Sequence, residues 1–351
     1  MTGARRLAVA LSGGVDSAVS CRLIQDEGHE VVALFMELGQ GDVLRQRARA
    51  MADFLGVDFQ VVDLRDPFRH QVIDYFCQSY ARGQTPNPCV VCNPAIKCGL
   101  LLDMALEMGC EALVTGHYVR QEERGGVACL RCGLDPVKDQ SYFLCGLRQD
   151  QLRHLRFPLG GLLKSQVFAL AREYDLPVAG GESQDVCFLE EGSPGDFLAR
   201  ELASPPLPGD IVDSQGRVLG RHQGIHCYTI GQRRGLGISA PKPLYVVAIR
   251  ATENQVVVGP DAELYRAELR LLEPANWLAG EGPGLPWQGR VKIRYRHQEG
   301  AKATLTRDDQ GLLVRFAQPQ RAITPGQFAV FYQDDLLLGG GEIVGAKSPS
   351  P

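Results

Sequence analysis

The chain has 351 residues, enough for two or three domains that each bury a core, and its formal net charge is −4. This charge excludes a global electrostatic attraction to nucleic acid, and we find no apolar run of membrane-spanning length. The first six residues are too short and polar for a secretory signal, so we expect a cytoplasmic protein. Eleven cysteines in such a protein indicate thiol chemistry or metal binding rather than a disulfide framework.

The first half of the chain alternates between strand and helix patterns. The predicted elements are strands at 7–11, 31–36, 57–62 and 112–115 and helices at 17–26, 43–55 and 67–80. This alternation favours an α/β domain in which helices cover both faces of a parallel sheet. Ligands of such sheets bind beyond the carboxyl ends of the strands.

The second half has a different composition, beginning at the proline-rich stretch 204–209, beyond which the helical periodicity disappears. Short strands separated by Gly, Pro, Asn and Asp are predicted at 245–249, 255–258, 289–295, 303–306, 312–316 and 328–332. This pattern predicts two small β domains, of which the last is a β-barrel. We therefore predict a catalytic domain over 1–205, a central β-rich domain over 206–268 and a barrel over 269–351.

The sequence SGGVDS at 12–17 directly follows the first predicted strand and opens the first helix. Its two glycines let the backbone approach an anion, and the helix N-terminus adds free N–H groups and the positive end of a dipole. Ser12 and Ser17 can donate further hydrogen bonds, and Asp16 can position a metal ion. A Walker loop needs a lysine after its last glycine, where Val15 stands here. The motif matches the pyrophosphate loop of enzymes that split ATP into AMP and pyrophosphate in order to adenylate a carbonyl oxygen.

Three groups of cysteines are candidates for chemistry. Cys89 and Cys92 lie in a proline-braced stretch that we predict to be a stiff, extended loop. Cys187 stands alone, and Cys129 and Cys132 form a second C-x-x-C pair. A zinc site built from both pairs is disfavoured, because 36 residues separate them and the second pair belongs to a predicted hairpin around Gly125-Gly126. The other six cysteines are interpreted as buried structural thiols.

A rigid thiol segment beside an ATP site can supply sulfur in two ways. A thiol can carry transferable sulfur as a persulfide, because a thiolate is a strong nucleophile. Alternatively, Cys89, Cys92 and Cys187 can bind an iron–sulfur cluster and leave one iron open. An adenylated carbonyl together with either sulfur source predicts the replacement of oxygen by sulfur.

Six motifs, in order along nearly the whole chain, resemble those of the bacterial tRNA-specific 2-thiouridylase family. They occupy 12–17, 85–97, 115–118 (TGHY), 138–144 (KDQSYFL), 224–237 and 324–327 (TPGQ). The resemblance implies an ATP-binding domain of the adenine nucleotide alpha-hydrolase type. It also implies a reaction in which the 2-oxygen of the wobble uridine attacks the α-phosphate of ATP, pyrophosphate leaves and sulfur displaces AMP. The implied cofactors and partners are ATP, Mg²⁺, tRNA and a cysteine desulfurase or sulfur-relay protein.

The resemblance further implies roles for single residues. Cys187 would carry the terminal sulfur, and Cys92 would attack it, releasing sulfide or forming a transient disulfide. The residues implied to bind ATP are Ala10, Leu11, Ser12, Gly13, Gly14, Val15, Asp16, Ser17, Met36 and Gly116. The residues implied to bind tRNA are Asn87, Pro88, Cys89, His117, Lys138, Asp139, Gln140, Arg294, Tyr295 and Gln327. A [4Fe–4S] cluster would use Cys89, Cys92 and Cys187.

The chain departs from the family pattern at two places. Many relatives carry an aspartate with an acid/base role where Cys89 stands, and a thiol cannot act as that carboxylate. Cys89 instead adds a third thiol to Cys92 and Cys187, so the iron–sulfur cluster route and the persulfide route both stay open. The segment 37–42 is shorter than the usual loop, so we expect its tRNA contacts to differ.

Local charge agrees with an RNA partner. The segment 214–252 contains six Lys or Arg residues and no acidic residue, and 269–324 contains nine basic and five acidic residues. Arg233 and Arg234 lie in a glycine-flanked loop suited to phosphate or base contacts.

Three other functions stay open from the residues alone. A nitrogen-inserting synthetase or amidotransferase could use the same loop, but it would need an ammonia source and no thiols. An ATP-sensing RNA-binding adaptor would not release pyrophosphate. A third candidate thiolates a different base, such as cytidine.

Overall fold

The computed structural model describes residues 4–39, 41–177, 186–189, 194–202, 207–297 and 299–347. Residues 204–206 of the proline-rich stretch lie outside these ranges, and the predicted boundary between the first two domains falls there. The limits of the three domains therefore stay predictions.

Five parallel strands form the sheet of the first domain, in the order β3-β2-β1-β4-β7. They are β1 (Arg6–Ala10), β2 (Glu30–Glu37), β3 (Asp58–Asp63), β4 (Leu113–Val114) and β7 (Leu155–Arg156). Two further strands, β5 (Val119–Arg124) and β6 (Val127–Cys132), form a separate hairpin. Ala8 and Val9 in β1 are fully buried in two different hydrophobic clusters, because helices pack on both faces. The predicted α/β fold class is confirmed.

Nine α-helices lie in the described part of the chain, most of them packed around this sheet. They are α1 (Val15–Asp26), α2 (Asp42–Leu55), α3 (Arg65–Phe68), α4 (Asp74–Ala81), α5 (Pro88–Cys92), α6 (Leu101–Glu107), α7 (Gln149–Leu152), α8 (Lys164–Glu173) and α9 (Pro194–Glu201). The first two match predicted helices. The helix predicted at 67–80 is observed as α3 and α4 joined by a π-helical turn over Arg69–Ile73.

A continuous helical segment, Pro88–Glu107, replaces the extended loop predicted around the first C-x-x-C pair. That prediction was wrong, because the sequence there is a helix start. Asn87 is the N-cap, and its Oδ1 accepts a hydrogen bond from the Val90 N–H at 3.4 Å. Pro88 takes the first helical position, where the missing N–H of proline costs nothing.

The same segment is long and apolar enough, by length and composition alone, to cross a membrane. This corrects our expectation that no run reaches that length. Ile96, Cys98 and Leu101 are nevertheless fully buried among side chains of the first domain. Burial of this kind is typical of the core helix of a globular domain, so we interpret the segment as a core helix.

The hairpin β5–β6 joins the first domain to the last. Its turn is the predicted Gly125-Gly126 pair, and both glycines have positive φ, +57° and +80°. Strand β6 pairs with the final strand of the chain, with Leu130 opposite Leu337. The sequence predicted the hairpin but not this union with the barrel.

The central domain is a four-stranded sheet in the order β10-β11-β8-β9. Its strands are β8 (Gly209–Asp213), β9 (Val218–His222), β10 (Tyr245–Arg250) and β11 (Gln255–Gly259). The last two match predicted strands. Short 3₁₀ turns also occur at Ser141–Leu144, Ile225–Cys227 and Asp261–Leu264.

The last domain is the predicted β-barrel, which is confirmed. Its strands are β12 (Tyr265–Leu271), β13 (Asn276–Trp277), β14 (Trp287–Lys292), β15 (Ala301–Asp308), β16 (Gly311–Arg321), β17 (Phe328–Gln333) and β18 (Leu336–Lys347). Six of them follow the order β12-β16-β15-β14-β17-β18, and pairing of β12 with β18 closes the ring. Closure leaves no free edge within this ring.

A buried ion pair fastens the barrel to the first domain. The Lys292 Nζ of β14 lies 2.9 Å from Asp139 Oδ2, and the two side chains are 10% and 5% exposed. Asp139 also accepts hydrogen bonds from the N–H groups of Gly133 and Ser141. Because each charge depends on the other for compensation, loss of one partner leaves the other buried and unpaired.

We therefore expect Asp139→Ala to lower the free energy of unfolding by about 3–5 kcal/mol, the cost of an uncompensated buried charge. Urea unfolding followed by tryptophan fluorescence measures this change, because both tryptophans lie in the barrel. Arg315→Ala is the control, since it removes an exposed pair with Glu268 and should cost less than about 1 kcal/mol. Equal losses in the two variants would contradict the assignment.

Candidate active site

The loop between β1 and α1 forms a cradle of backbone and hydroxyl groups. Ser17 Oγ donates to the Gly14 carbonyl at 3.0 Å and accepts from the Ser12 N–H at 3.2 Å, which closes the loop on itself. Gly13 has a φ of +77°, and a Cβ there would lie 2.9 Å from the Ala48 backbone nitrogen of α2, so only glycine fits. Gly14 has no side chain to cap α1, and the first N–H groups of the helix therefore face the loop.

Asp16 in the first turn of α1 is held by two side chains: Lys164, which was not singled out, and Tyr118, the last residue of the TGHY motif, for which no role was predicted. Lys164 Nζ donates to its two carboxylate oxygens at 2.7 and 2.8 Å, and the Tyr118 hydroxyl donates to Oδ1 at 2.7 Å. Lys164 is the first residue of α8, where a cation opposes the helix dipole. That unfavourable position was the one signal in the sequence that could have revealed it.

The other residues implied to bind ATP lie at the same edge of the sheet. Met36 is near the carboxyl end of β2, next to β1. Gly116 follows β4, and a Cβ on it would lie 3.1 Å from Asp16, so its backbone packs directly against α1. The structure thus brings 10–17, Met36 and Gly116 together at the carboxyl ends of three adjacent strands.

The three candidate thiols lie within electrostatic range of one another. The pKa of Cys89 is raised to about 11, mainly by burial and also by the neighbouring Cys187 thiol, while Lys97 acts to lower it. Cys92 is affected by the same two neighbours. Cys89 and Cys92 are half-buried on α5, and Cys187 is exposed. Cys89, Cys92 and Cys187 are therefore neighbours, and their joint role in a reaction stays a prediction.

An aromatic contact anchors the short segment that carries Cys187. The ring of Phe188 meets those of Phe68 and Phe76 edge-on, with centroid distances of 5.8 and 5.2 Å. Such pairs add about 0.5–1.5 kcal/mol to the stabilisation from buried area. Phe188 thus packs on the first domain, while the thiol of the preceding residue, Cys187, stays exposed.

The donor set does not form a metal site in this arrangement. Within the ranges that the structure describes, no group of three His, Cys, Asp or Glu side chains could hold a metal ion. All eleven cysteines fall within those ranges, and none of them forms a disulfide there. Cys89, Cys92 and Cys187 as placed do not fit a cluster, so we derive no step through one.

Thr85 is bound by both β domains and precedes the thiol helix by three residues. Its N–H donates to the Pro325 carbonyl at 2.9 Å, and its carbonyl accepts from Gln327 Nε2 at 2.8 Å. Its hydroxyl donates to Thr229 Oγ1 of the central domain at 3.3 Å. A Cβ on Gly326 would lie 3.0 Å from the Thr85 carbonyl carbon, so this approach requires glycine. We call these contacts the Thr85 clamp.

Several residues implied to bind tRNA have internal partners instead. His117 is buried, hydrogen-bonded to Thr115 Oγ1 at 2.7 Å, and burial lowers its pKa well below the ordinary value, so it is neutral at pH 7. Asp139 is buried against Lys292. The Gln140 side chain accepts from the Tyr118 N–H at 3.0 Å, and Lys138 is half-buried.

The remaining predicted contacts are divided between the surface and the Thr85 clamp. Arg294 is exposed, and its guanidinium donates to the Arg321 carbonyl at 3.0 Å. Tyr295 is half-exposed and lies over Phe143, with ring centroids 4.4 Å apart. Gln327 belongs to the clamp, where its side-chain amide is used by Thr85 and Pro86.

Three family models match successive parts of the chain. They describe a tRNA methyl transferase HUP domain over 5–191, a tRNA methyl transferase PRC-barrel domain over 195–260 and an aminomethyltransferase beta-barrel domain over 267–343. The first of these models alone covers more than half of the chain.

Curated relatives are similar over nearly the full length. The tRNA-specific 2-thiouridylase MnmA of Magnetococcus marinus is 46% identical over 98% of this chain and 100% of its own. Those of Trichlorobacter lovleyi and Syntrophotalea carbinolica are 46% and 43% identical, over 97% of this chain and 98% of their own. Among solved structures, a predicted subunit of tRNA methyltransferase from Methanocaldococcus jannaschii has 19% identity and a TM-score of 0.32 over 48% of this chain and 75% of its own.

The raised pKa of Cys92 predicts a steep dependence of its reactivity on pH. Burial raises this pKa to about 12, so the thiolate fraction, and with it the alkylation rate, should rise about tenfold per pH unit between about pH 7 and pH 9. Peptide mass spectrometry after timed iodoacetamide treatment measures the rate. Lys97→Met should slow alkylation at each pH, because the Lys97 charge lowers the Cys92 pKa. A rate that does not change with pH would show that the thiolate is already formed.

The Thr85 clamp should also restrict access to the thiols. Gln327→Ala removes two hydrogen bonds worth about 1 kcal/mol each, so we expect Cys89 and Cys92 to be alkylated up to about thirtyfold faster. Gln320→Ala is the matched control, because its side chain is half-buried on the same barrel and donates to the nearby Gln318 carbonyl rather than to the first domain. Equal alkylation rates in the two variants would show that the clamp does not hold the thiol helix.

Proposed function

Because the chain belongs to the tRNA-specific 2-thiouridylase family, we propose that the wobble uridine of tRNA is its substrate and that the site described above carries out the reaction. The protein is a tRNA-uridine 2-sulfurtransferase that uses ATP. The observation that supports our placement of the chemistry is that one domain holds both the β1–α1 anion cradle and the thiols: Cys89 and Cys92 lie on α5, and the residue after Cys187 packs on Phe68 and Phe76.

The first step proposed for this site is adenylation of the uracil. The uracil 2-oxygen attacks the α-phosphorus of ATP and forms an O–P bond, while the bond to pyrophosphate breaks and pyrophosphate takes the electron pair. The N3 proton of uracil passes to solvent. The N–H groups at the start of α1 and the loop of Ser12 to Ser17 are placed to bind the phosphates. Mg²⁺ enters with ATP, because this ion is usually held by substrate phosphates and few protein ligands.

The second step proposed is sulfur transfer through a persulfide. Cys187 is exposed, so a cysteine desulfurase or a sulfur-relay protein can load it with sulfur. The Cys92 thiolate attacks Cys187 Sγ, forms a disulfide and releases hydrosulfide. Hydrosulfide then adds to C2 of the adenylated uracil, and AMP leaves. A cellular dithiol reduces the disulfide before the next turnover.

Surface residues support a tRNA-binding role for the two β domains. Arg233 and Arg234 are exposed in the central domain, and Arg294 is exposed at the barrel. Their guanidinium groups suit phosphate contacts, and Tyr295 offers an aromatic face to a base. We keep these residues as tRNA contacts. For His117 and Asp139 we propose structural roles, because both are buried. We propose the cytoplasm as the location, since tRNA is its substrate.

Replacement of either transferring thiol tests the proposal. We expect Cys92→Ser and Cys187→Ser to lose 2-thiouridine formation by at least about 10³-fold, because each removes one partner of the disulfide exchange. Nucleoside mass spectrometry of unmodified tRNA incubated with enzyme, ATP, Mg²⁺ and a sulfur donor measures the product. ATP binding should change less than about twofold.

The control is Cys129→Ser, since that thiol lies on the hairpin strand β6 and has no part in the proposed transfer. Retained thiolation in the Cys92 or Cys187 variant would contradict the persulfide route. Iron and acid-labile sulfide in anaerobically purified wild-type protein would favour the cluster route instead. A thiolated cytidine in place of uridine would identify a different base as the substrate.

A further inference from the structure

Lys164 is a nearly buried cation beside the phosphate loop that the reaction described above does not yet use. Its side chain is 10% exposed, and its Nζ contacts both carboxylate oxygens of Asp16. The ammonium also lies 5.6 Å from the ring centre of Tyr118 and 5.0 Å from that of Phe168. Its backbone N–H donates to Asp135 Oδ2 at 3.0 Å, which fixes the start of α8. The position of this side chain is therefore well determined.

This placement is costly for a structural lysine. The ammonium loses hydration by burial, and the N-terminus of α8 adds a second positive field. The pair with Asp16 offsets part of these costs, but an apolar pair of similar size would often give equal stability. A retained charge at such a site points to a use for the charge.

The loop explains what that use is. An ATP molecule brought to α1 meets the negative carboxylate of Asp16, and the sequence SGGVDS lacks the lysine that follows the last glycine of a Walker loop. A cation from elsewhere in the chain can take the place of that lysine opposite the phosphates. Lys164 reaches the first turn of α1 from the start of α8, 148 residues further along the chain.

We propose that Lys164 is a catalytic residue of the adenylation step, whose ammonium binds the β- and γ-phosphates of ATP. As the uracil 2-oxygen bonds to the α-phosphorus, the electron pair of the broken P–O bond passes to pyrophosphate, and Lys164 stabilises the charge that accumulates there. Asp16 keeps the ammonium in place before ATP binds. This inference rests on the proposed ATP site.

The test is pyrophosphate release by wild-type enzyme and variants, with saturating ATP, Mg²⁺ and unmodified tRNA. Lys164→Met should lower kcat about 10²- to 10³-fold while changing the Kd for ATP less than about tenfold, and Lys164→Arg should recover part of the rate. Arg22→Met is the matched control, because it removes an exposed cation with an Asp26 partner from the same helix, α1. It should keep the wild-type rate. If the methionine variant does not bind ATP, Lys164→Gln replaces it.

A double-mutant cycle separates phosphate binding from simple neutralisation of Asp16. If Lys164 contacts the phosphates, Lys164→Met lowers kcat in the Asp16→Asn background as well as in the wild type. If Lys164 serves only Asp16, the substitution has no further effect once Asp16 is neutral, and the inference is overturned. Equal pyrophosphate release by wild type and Lys164→Met also overturns it. No release by the wild type would instead refute the proposed function itself.

Discussion

The Thr85 clamp is the constraint on which the rest of the site depends. Thr85 belongs to the first domain, yet all three of its hydrogen bonds from N–H, carbonyl and hydroxyl described above go to the two β domains. Asn87 then caps α5 two residues later, so the clamp sets where the thiol helix begins. Two domains that carry no proposed sulfur chemistry therefore fix the position of Cys89 and Cys92.

The features predicted correctly are those that short stretches of sequence encode. The alternation of strands and helices follows from local hydrophobic patterns, and the two faces of β1 are already visible in its apolar run. The loop at 12–17 was predictable because Gly13 must adopt a positive φ and pack against α2, which leaves one residue type at that place. The turn at Gly125 and Gly126 was predictable because a pair of glycines favours the positive φ angles of a tight hairpin turn.

The features missed depend on contacts between distant parts of the chain. No local pattern pairs Lys164 with Asp16, or the hairpin strand β6 with β18. The burial of Asp139 was equally invisible, since a charged residue in a polar motif is expected at the surface until Lys292 is placed beside it. The helix at Pro88 is different, because the Asn–Pro pair is a local signal for a helix start and we interpreted the prolines as bracing an extended loop.

The burial that positions the thiols also makes them unreactive. Cys89 and Cys92 have pKa values of about 11 and about 12, so both are neutral at pH 7. Cys187 is exposed, and a donor can reach it while the other two stay protected from oxidation. In the proposed route, sulfur is therefore loaded at the exposed Cys187 and released by a different residue, Cys92. The proposed transfer requires that the half-buried Cys92 ionise, and the charge of Lys97, one turn further along the same helix, lowers its pKa.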